Sequence, residues 1–272
     1  MTHDEAWYEK QYSPRLSVPD TDAIISCWRY KSAMLRNRVP PRCDFKYGPH
    51  PRETLDVFHA ANAKATLVYI HGGYWRSFSK LETSFIAEDF VKRGISVVLV
   101  NYPLCPDVTV TDIRASVLAA YAYTWTHLLT TDERKAIVVS GHSAGGHLAA
   151  LHAVSPRSAT LIKAVVSLSG VFDLAPLLQT SIASSIRLTG ETVGSLNLLH
   201  DKPQPELPIL LAVGAEESGE FHRQSDALSK AWALPSTSVM SVPGTNHFTI
   251  VDAFATAGTE LHEAVMALFA NA

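Results

Sequence analysis

Several functional classes are excluded by what the 272-residue chain lacks. Its three cysteines, Cys27, Cys43 and Cys105, form no Cys-x-x-Cys pair. Neither a disulfide framework nor a zinc knuckle is expected, and free thiols suit a reducing compartment. No stretch approaches the ~20 consecutive apolar residues that a membrane span needs. The opening Met1-Thr2-His3-Asp4-Glu5 is polar and acidic, without the apolar core of a signal peptide, so a cytoplasmic location is the expectation. Positive charge is not in excess either. Against 26 Asp plus Glu stand 23 Lys plus Arg, a formal charge of −3, which gives no basic field for nucleic acid. Internal repeats and low-complexity tracts are missing.

The remainder describes a well-packed globular chain, 47% hydrophobic and 18% charged. Its length suffices for one full α/β core, or at most two small ones. Residues 1–45 carry no strand pattern. They read as a helical arm, with pieces at 6–11 and 21–37 separated by Pro14 and Pro19 and stopped by Pro40-Pro41. Residues 54–58 alternate and predict a half-buried antiparallel edge strand. Apolar runs at 66–70, 95–100, 164–170 and 209–214, and the one leading into Ser140, predict buried parallel strands; 238–242 predicts the last. Between them, helical spacing recurs over 81–91, 111–127, 221–232 and 259–269. Residues 176–208 lose that periodicity and read as a cap excursion. The alternation predicts a single domain over 1–272: a mostly parallel, doubly wound sheet flanked by helices. In such a sheet reactive groups gather at the carboxyl ends of the strands.

The densest signal is Val138-Val139-Ser140-Gly141-His142-Ser143-Ala144-Gly145-Gly146-His147, a strand, a very tight turn and a helix start. Gly-x-Ser-x-Gly in that context is the nucleophile elbow of an α/β-hydrolase fold. A serine hydroxyl is a poor nucleophile at neutral pH and needs a base, itself oriented by an acid. In this fold the order is serine, acid, histidine. His247, in the loop after the last strand, is the expected base. The loop after Val213 supplies the acid, Glu217 ahead of Glu216; Glu220 and Asp226 read as solvated helix charges. His71-Gly72-Gly73-Tyr74 follows an earlier strand, so Gly73, Tyr74 and Ala144 are the expected oxyanion-hole donors. Trp75, Phe78, Tyr102 and Phe172 fall at strand ends or in adjoining loops, where they could wall an aromatic slot or simply pack in the core. His142, His147 and His152 are five residues apart, steps that rotate by ~140° on a helix, so they do not make a metal site. No cofactor is expected.

Together, His71-Gly72-Gly73-Tyr74-Trp75 and Gly141-His142-Ser143-Ala144-Gly145 resemble the arylformamidase (kynurenine formamidase) family. Esterases related to hormone-sensitive lipase usually carry a third glycine where this chain has Tyr74. Also similar to the family are Gln11-Tyr12-Ser13-Pro14, the segment 169–177, Ser218 with 220–225, and His247-Phe248 with Ile250-Val251. Asp is usual in the family at the positions of Glu217 and Asn246, and proline at Gly219. Its cap asparagine is replaced near Ala183, and its Ser-Pro is missing around Leu199-His200. The resemblance implies a metal-independent serine hydrolase that releases formate from N-formyl-L-kynurenine in tryptophan catabolism, with Glu217 aligned as the acid. A carboxylesterase or other aryl amidase with the same Ser-His-Glu set is the alternative, and a non-catalytic binding protein of the same fold a distant third. The expected partner is a small aromatic amide or ester, with no nucleic acid and no membrane; a homodimer is left open.

Overall fold

A computed structural model describes residues 3–270. The chain begins in a helical arm: α1 (Glu5–Tyr12), α2 (Pro14–Ser17) and α3 (Thr21–Arg38). Asp4 caps α1 by accepting from Trp7 N at 2.9 Å, and Pro14 sits in the first turn of α2, where its missing N–H costs nothing. Beyond the arm lie β1 (Arg42–Lys46), β2 (Thr54–Phe58), β3 (Ala65–Ile70), α4 (Ala87–Lys92), β4 (Ile95–Val100), α5 (Val110–Tyr123), β5 (Ile137–His142), α6 (Ala144–Val154), α7 (Pro156–Ala159) and β6 (Ala164–Leu168). The chain then runs through α8 (Ser181–Ser185), α9 (Gly190–Leu196), β7 (Ile209–Gly214), α10 (Gly219–Trp232), β8 (Thr237–Val242), α11 (Thr249–Ala255) and α12 (Glu260–Ala270).

The eight strands form one sheet in the order β1-β2-β4-β3-β5-β6-β7-β8. β3 to β8 are parallel, and β2 runs antiparallel to both neighbours. Because side chains alternate across a strand, the sheet separates two cores. Val68, Ile70, Val98, Val100 and Val139 point into one, and Leu67, Tyr69, Val97, Leu99 and Val138 into the other. This two-sided burial explains why the parallel strands read as unbroken apolar runs.

Two strands differ from the sequence expectation. Residues 42–46 form a strand although they are mostly exposed and do not alternate; backbone pairing to β2, not side-chain burial, holds them there. Consequently β2 is no edge, and all five of its residues are buried. At its centre the Asp56 carboxylate meets Arg36 Nη2 at 2.6 Å and Lys80 Nζ at 2.7 Å and accepts from Asp44 N at 2.9 Å. A buried charge survives when it is paired and hydrogen-bonded in this way. The segment 176–208 contains α8, α9 and single 3-10 turns at Ala175–Gln179 and Leu198–His200. α11, which follows the expected base directly, has no counterpart in the sequence reading.

Register places the chemistry. Ile70 pairs with Gly141, His142 with Leu168, and Gly214 with Val242. The loops leaving β3, β5, β6, β7 and β8 therefore emerge along one rim of the sheet.

Candidate active site

At the end of β5 the backbone reverses within one residue. Ser143 has φ 56° and ψ −120°, and α6 begins at the next position. A non-glycine residue in that region stores strain of roughly 1–3 kcal/mol. The flanking glycines make room for it: a Cβ on Gly145 would lie 2.1 Å from Ile70 O, and one on Gly141 would lie 2.1 Å from Gly145 O. Ser143 N donates to Leu168 O at 2.8 Å, so β6 holds the turn from the other side. The Ala144 N–H, in the first turn of α6, has no partner within the helix and carries the positive end of the helix dipole.

His247 Nδ1 lies 2.6 Å from Glu217 Oε2. A carboxylate accepts, so Nδ1 holds the proton and Nε2 is left basic. Glu217 Oε1 accepts from Gly214 N at 2.7 Å and from the Ser169 hydroxyl. The Glu217 N–H in turn donates to Gly214 O at 3.1 Å. Through this reciprocal closure the turn absorbs the extra methylene of a glutamate. The Glu217 carboxylate is 0% exposed, whereas Glu216 is exposed and meets the His247 loop through its backbone N–H, donated to Thr245 O. The His247 ring rests on Phe221, centroids 4.4 Å apart. Its carbonyl accepts from His142 Nε2 at 2.6 Å. Burial, and then the nearness of His247, hold His142 well below the usual histidine range, so it stays neutral.

The loop after β3 passes through three left-handed residues in succession, Gly73 (φ 99°), Tyr74 (φ 48°) and Trp75 (φ 55°). At Gly73 the requirement is steric as well, since a Cβ there would lie 2.4 Å from Ser77 O. Among the described residues neither the Gly73 nor the Tyr74 N–H has a hydrogen-bond acceptor. Beneath the loop, Tyr102 OH donates to His71 O at 2.9 Å and stacks on the His71 ring at 4.2 Å. From the arm, Tyr12 O accepts from Tyr74 OH at 2.5 Å.

These loops surround a cavity of about 420 Å³, lined by Gly73, Tyr74, His142, Ser143, His247 and Phe248 from the sheet rim. The arm contributes Glu9, Ser13 and Arg15, and the 176–208 segment contributes Ser181 and Ile182. Of the four aromatics expected to wall an aromatic slot, only Phe78 reaches the cavity. Trp75, Tyr102 and Phe172 are 0% exposed and belong to the core. Trp75 packs edge-on to His147 at 5.5 Å, Tyr102 braces the His71 carbonyl, and the Phe172 ring underlies Gly170. Glu220 also departs from expectation. It is buried and accepts from Tyr12 OH at 2.5 Å while paired with Arg223 at 2.9 Å.

Sequence reasoning assigned no role to four contributors. Ser169 (φ 50°) binds the expected acid; its Ser-Gly context after an apolar run was the only signal. Gln11 and Tyr12 tie the arm to Ser218, Glu220 and Tyr74. Their similarity to a family signature flagged them without giving a role. Glu9 accepts from Ser181 N, Ser181 Oγ and Ser13 Oγ at 2.7–2.9 Å, fastening α1 to α8.

A family model, BD-FAE, matches residues 55–204. The kynurenine formamidase of Salmo salar is 30% identical over 283 residues, covering 93% of this chain and 91% of that protein. Among solved structures, one from Silicibacter sp. tm1040 superposes with a TM-score of 0.86 at 23% identity, covering 96% of this chain and 98% of that one. Esterase B from Lactobacillus rhamnosis superposes with a TM-score of 0.71 at 19% identity, covering 93% and 96%. At these identities the two structures show the shared fold.

Proposed function

We propose that the chain, which belongs to the arylformamidase-like family of α/β-hydrolases and so cleaves amide or ester bonds, hydrolyses the formamide of N-formyl-L-kynurenine. The observation that carries the reading is the buried Glu217–His247 pair, whose histidine lines the same cavity as the strained Ser143. Similarity to the kynurenine formamidase of Salmo salar supports this substrate, and a cavity of about 420 Å³ has room for a single aryl ring with a side chain.

In this reading His247 Nε2 takes the Ser143 proton as Oγ attacks the formyl carbon. The Gly73, Tyr74 and Ala144 N–H groups receive the oxyanion, each donor being worth ~3 kcal/mol of transition-state stabilisation. His247 then gives its proton to the departing aniline nitrogen, releasing kynurenine and leaving a formyl ester on Ser143. Water, deprotonated by the same imidazole, attacks that ester and releases formate. The segment 176–208 serves as the cap, and the arm forms the opposite wall.

The test is a substrate panel: N-formyl-L-kynurenine, a formanilide and short p-nitrophenyl esters. Formylkynurenine is expected to give the highest kcat/KM, and Ser143→Ala is expected to abolish both turnover and labelling by an aryl phosphonate. Formamide turnover at the background rate, with esters cleaved well, would assign an esterase instead.

A further inference from the structure

The cavity is not uniformly apolar. Three arginines, Arg15, Arg29 and Arg76, stand on its outer wall with a single carboxylate, Glu9. Two of the three are already paired: Arg15 binds Asp22 at 2.7 Å and Arg29 meets Glu82 at 3.5 Å. Arg76 differs. Among the described residues it forms no ion pair, and it lies two positions past Tyr74, on the turn closed by its own N–H to Gly73 O at 3.0 Å. The turn that presents the oxyanion donors thus presents a free guanidinium as well. Glu9 is near enough to feel that charge. Burial works against its ionisation, but hydrogen bonds from Ser181 and Ser13, with Arg76 nearby, hold its carboxyl below the usual range. Among the described residues the wall thus carries an unpaired cation and, near it, an anion already engaged by Ser181 and Ser13.

We propose that Arg76 is a carboxylate subsite at the cavity mouth, selecting substrates whose leaving group bears an anionic head beyond the aromatic ring. A guanidinium binds a carboxylate through two parallel N–H donors. The inference deepens the formamidase reading and rests on it for the bond cleaved, but not for the charge preference.

Two matched pairs separate the claims. One is N-formyl-L-kynurenine against ortho-formamidoacetophenone, which lacks the amino-acid head. The other is the acetyl ester of meta-hydroxyphenylpropionate against that of meta-propylphenol, where a methyl replaces the carboxylate. Wild-type enzyme is expected to favour the carboxylate-bearing member of each pair at least tenfold in kcat/KM, chiefly through KM. The preference should shrink as salt is raised, as for any exposed charge pair. Arg76→Gln should reduce the ratio of carboxylate-bearing to carboxylate-free substrate to near one, and Arg76→Lys should restore it in part. As a readout independent of turnover, the Ser143→Ala protein should bind kynurenine more tightly than ortho-aminoacetophenone by calorimetry, and the added Arg76→Gln change should erase the difference. No preference in wild type, or a preference that survives Arg76→Gln, overturns the subsite. Selective cleavage of the anionic ester with an inert formamide overturns the formamidase reading and leaves the subsite standing.

Discussion

At the residue scale the proposed acid is chosen between two adjacent glutamates that differ by burial. Glu217 points inward, its two oxygens divided between His247 and the Gly214–Ser169 cradle. Glu216 points to solvent. Glu217→Gln leaves the shape but replaces an accepting oxygen with an amide that favours the wrong imidazole tautomer. By analogy with other serine hydrolases, kcat should fall by about a thousandfold or more, while Glu216→Gln should change it less than twofold. Equal losses in the two variants, measured by steady-state kinetics, would move the role. Ser143 and His247 were legible in the sequence because local rules fix them, one by Gly-x-Ser-x-Gly and the other by a histidine after the last strand. Ser169 was not, because its contact with Glu217 joins two loops 48 residues apart. Trp75, Tyr102 and Phe172 show a further limit: an aromatic at a strand end shows that apolar surface is buried there, not on which side of the loop the ring falls.

At the scale of elements, apolar runs identified the central strands, and helical spacing the long helices. β1 and the short helices of 176–208 escaped because backbone pairing and tertiary contacts hold them, not their own periodicity. The arm is the instructive case. Its helices were readable, but their purpose lies in contacts more than 60 residues distant in sequence. Tyr12 accepts from Tyr74 OH through its carbonyl, while its own hydroxyl donates to Glu220 and accepts from Gln224 at 2.9 Å. Gln224 Oε1 in turn accepts from Phe172 N and Asp173 N at 2.8 Å. The arm thus clamps the loop after β3, the helix α10 and the entry to the 176–208 segment at once. Tyr74→Phe removes only the hydroxyl from that clamp. The lost bond should cost about 1 kcal/mol, seen as a Tm lower by about 2–4 °C for a chain of this size. If the clamp also positions the Tyr74 N–H, kcat should fall several-fold with KM little changed. A lower Tm with unaltered kcat would reduce the contact to a purely structural tie.

At the scale of the whole molecule, four buried histidines make stability depend on pH. His71, His142, His147 and His152 are each 4% exposed or less. Burial pushes His71 and His152 down to about 3 and His147 to about 4, and holds His142 well below the usual range. Three of them tie the site together: His71 Nδ1 donates to Gly72 O at 2.8 Å, His142 Nε2 to His247 O at 2.6 Å, and His147 Nε2 to Leu196 O at 2.9 Å. In the unfolded chain each takes up a proton near 6.5, whereas the folded chain defers that uptake to its depressed value. Between those limits the unfolded state binds more protons, so stability is intact above about pH 7 and is lost as the pH falls through 6. Each histidine contributes a slope of about 1.4 kcal/mol per pH unit, and four together should make the melting temperature drop steeply between about pH 6.5 and 4.5. His152 isolates the cause. Neither of its ring nitrogens has a hydrogen-bond partner among the described residues, and it packs against Tyr121 at 5.1 Å, away from the cavity. His152→Leu removes one titrating group without opening a bond, so denaturant titrations at several pH values should show a slope shallower by about one proton. An unchanged slope would show that His152 is protonated in the folded chain as readily as in the unfolded one, and would shift the acid sensitivity to the remaining three histidines.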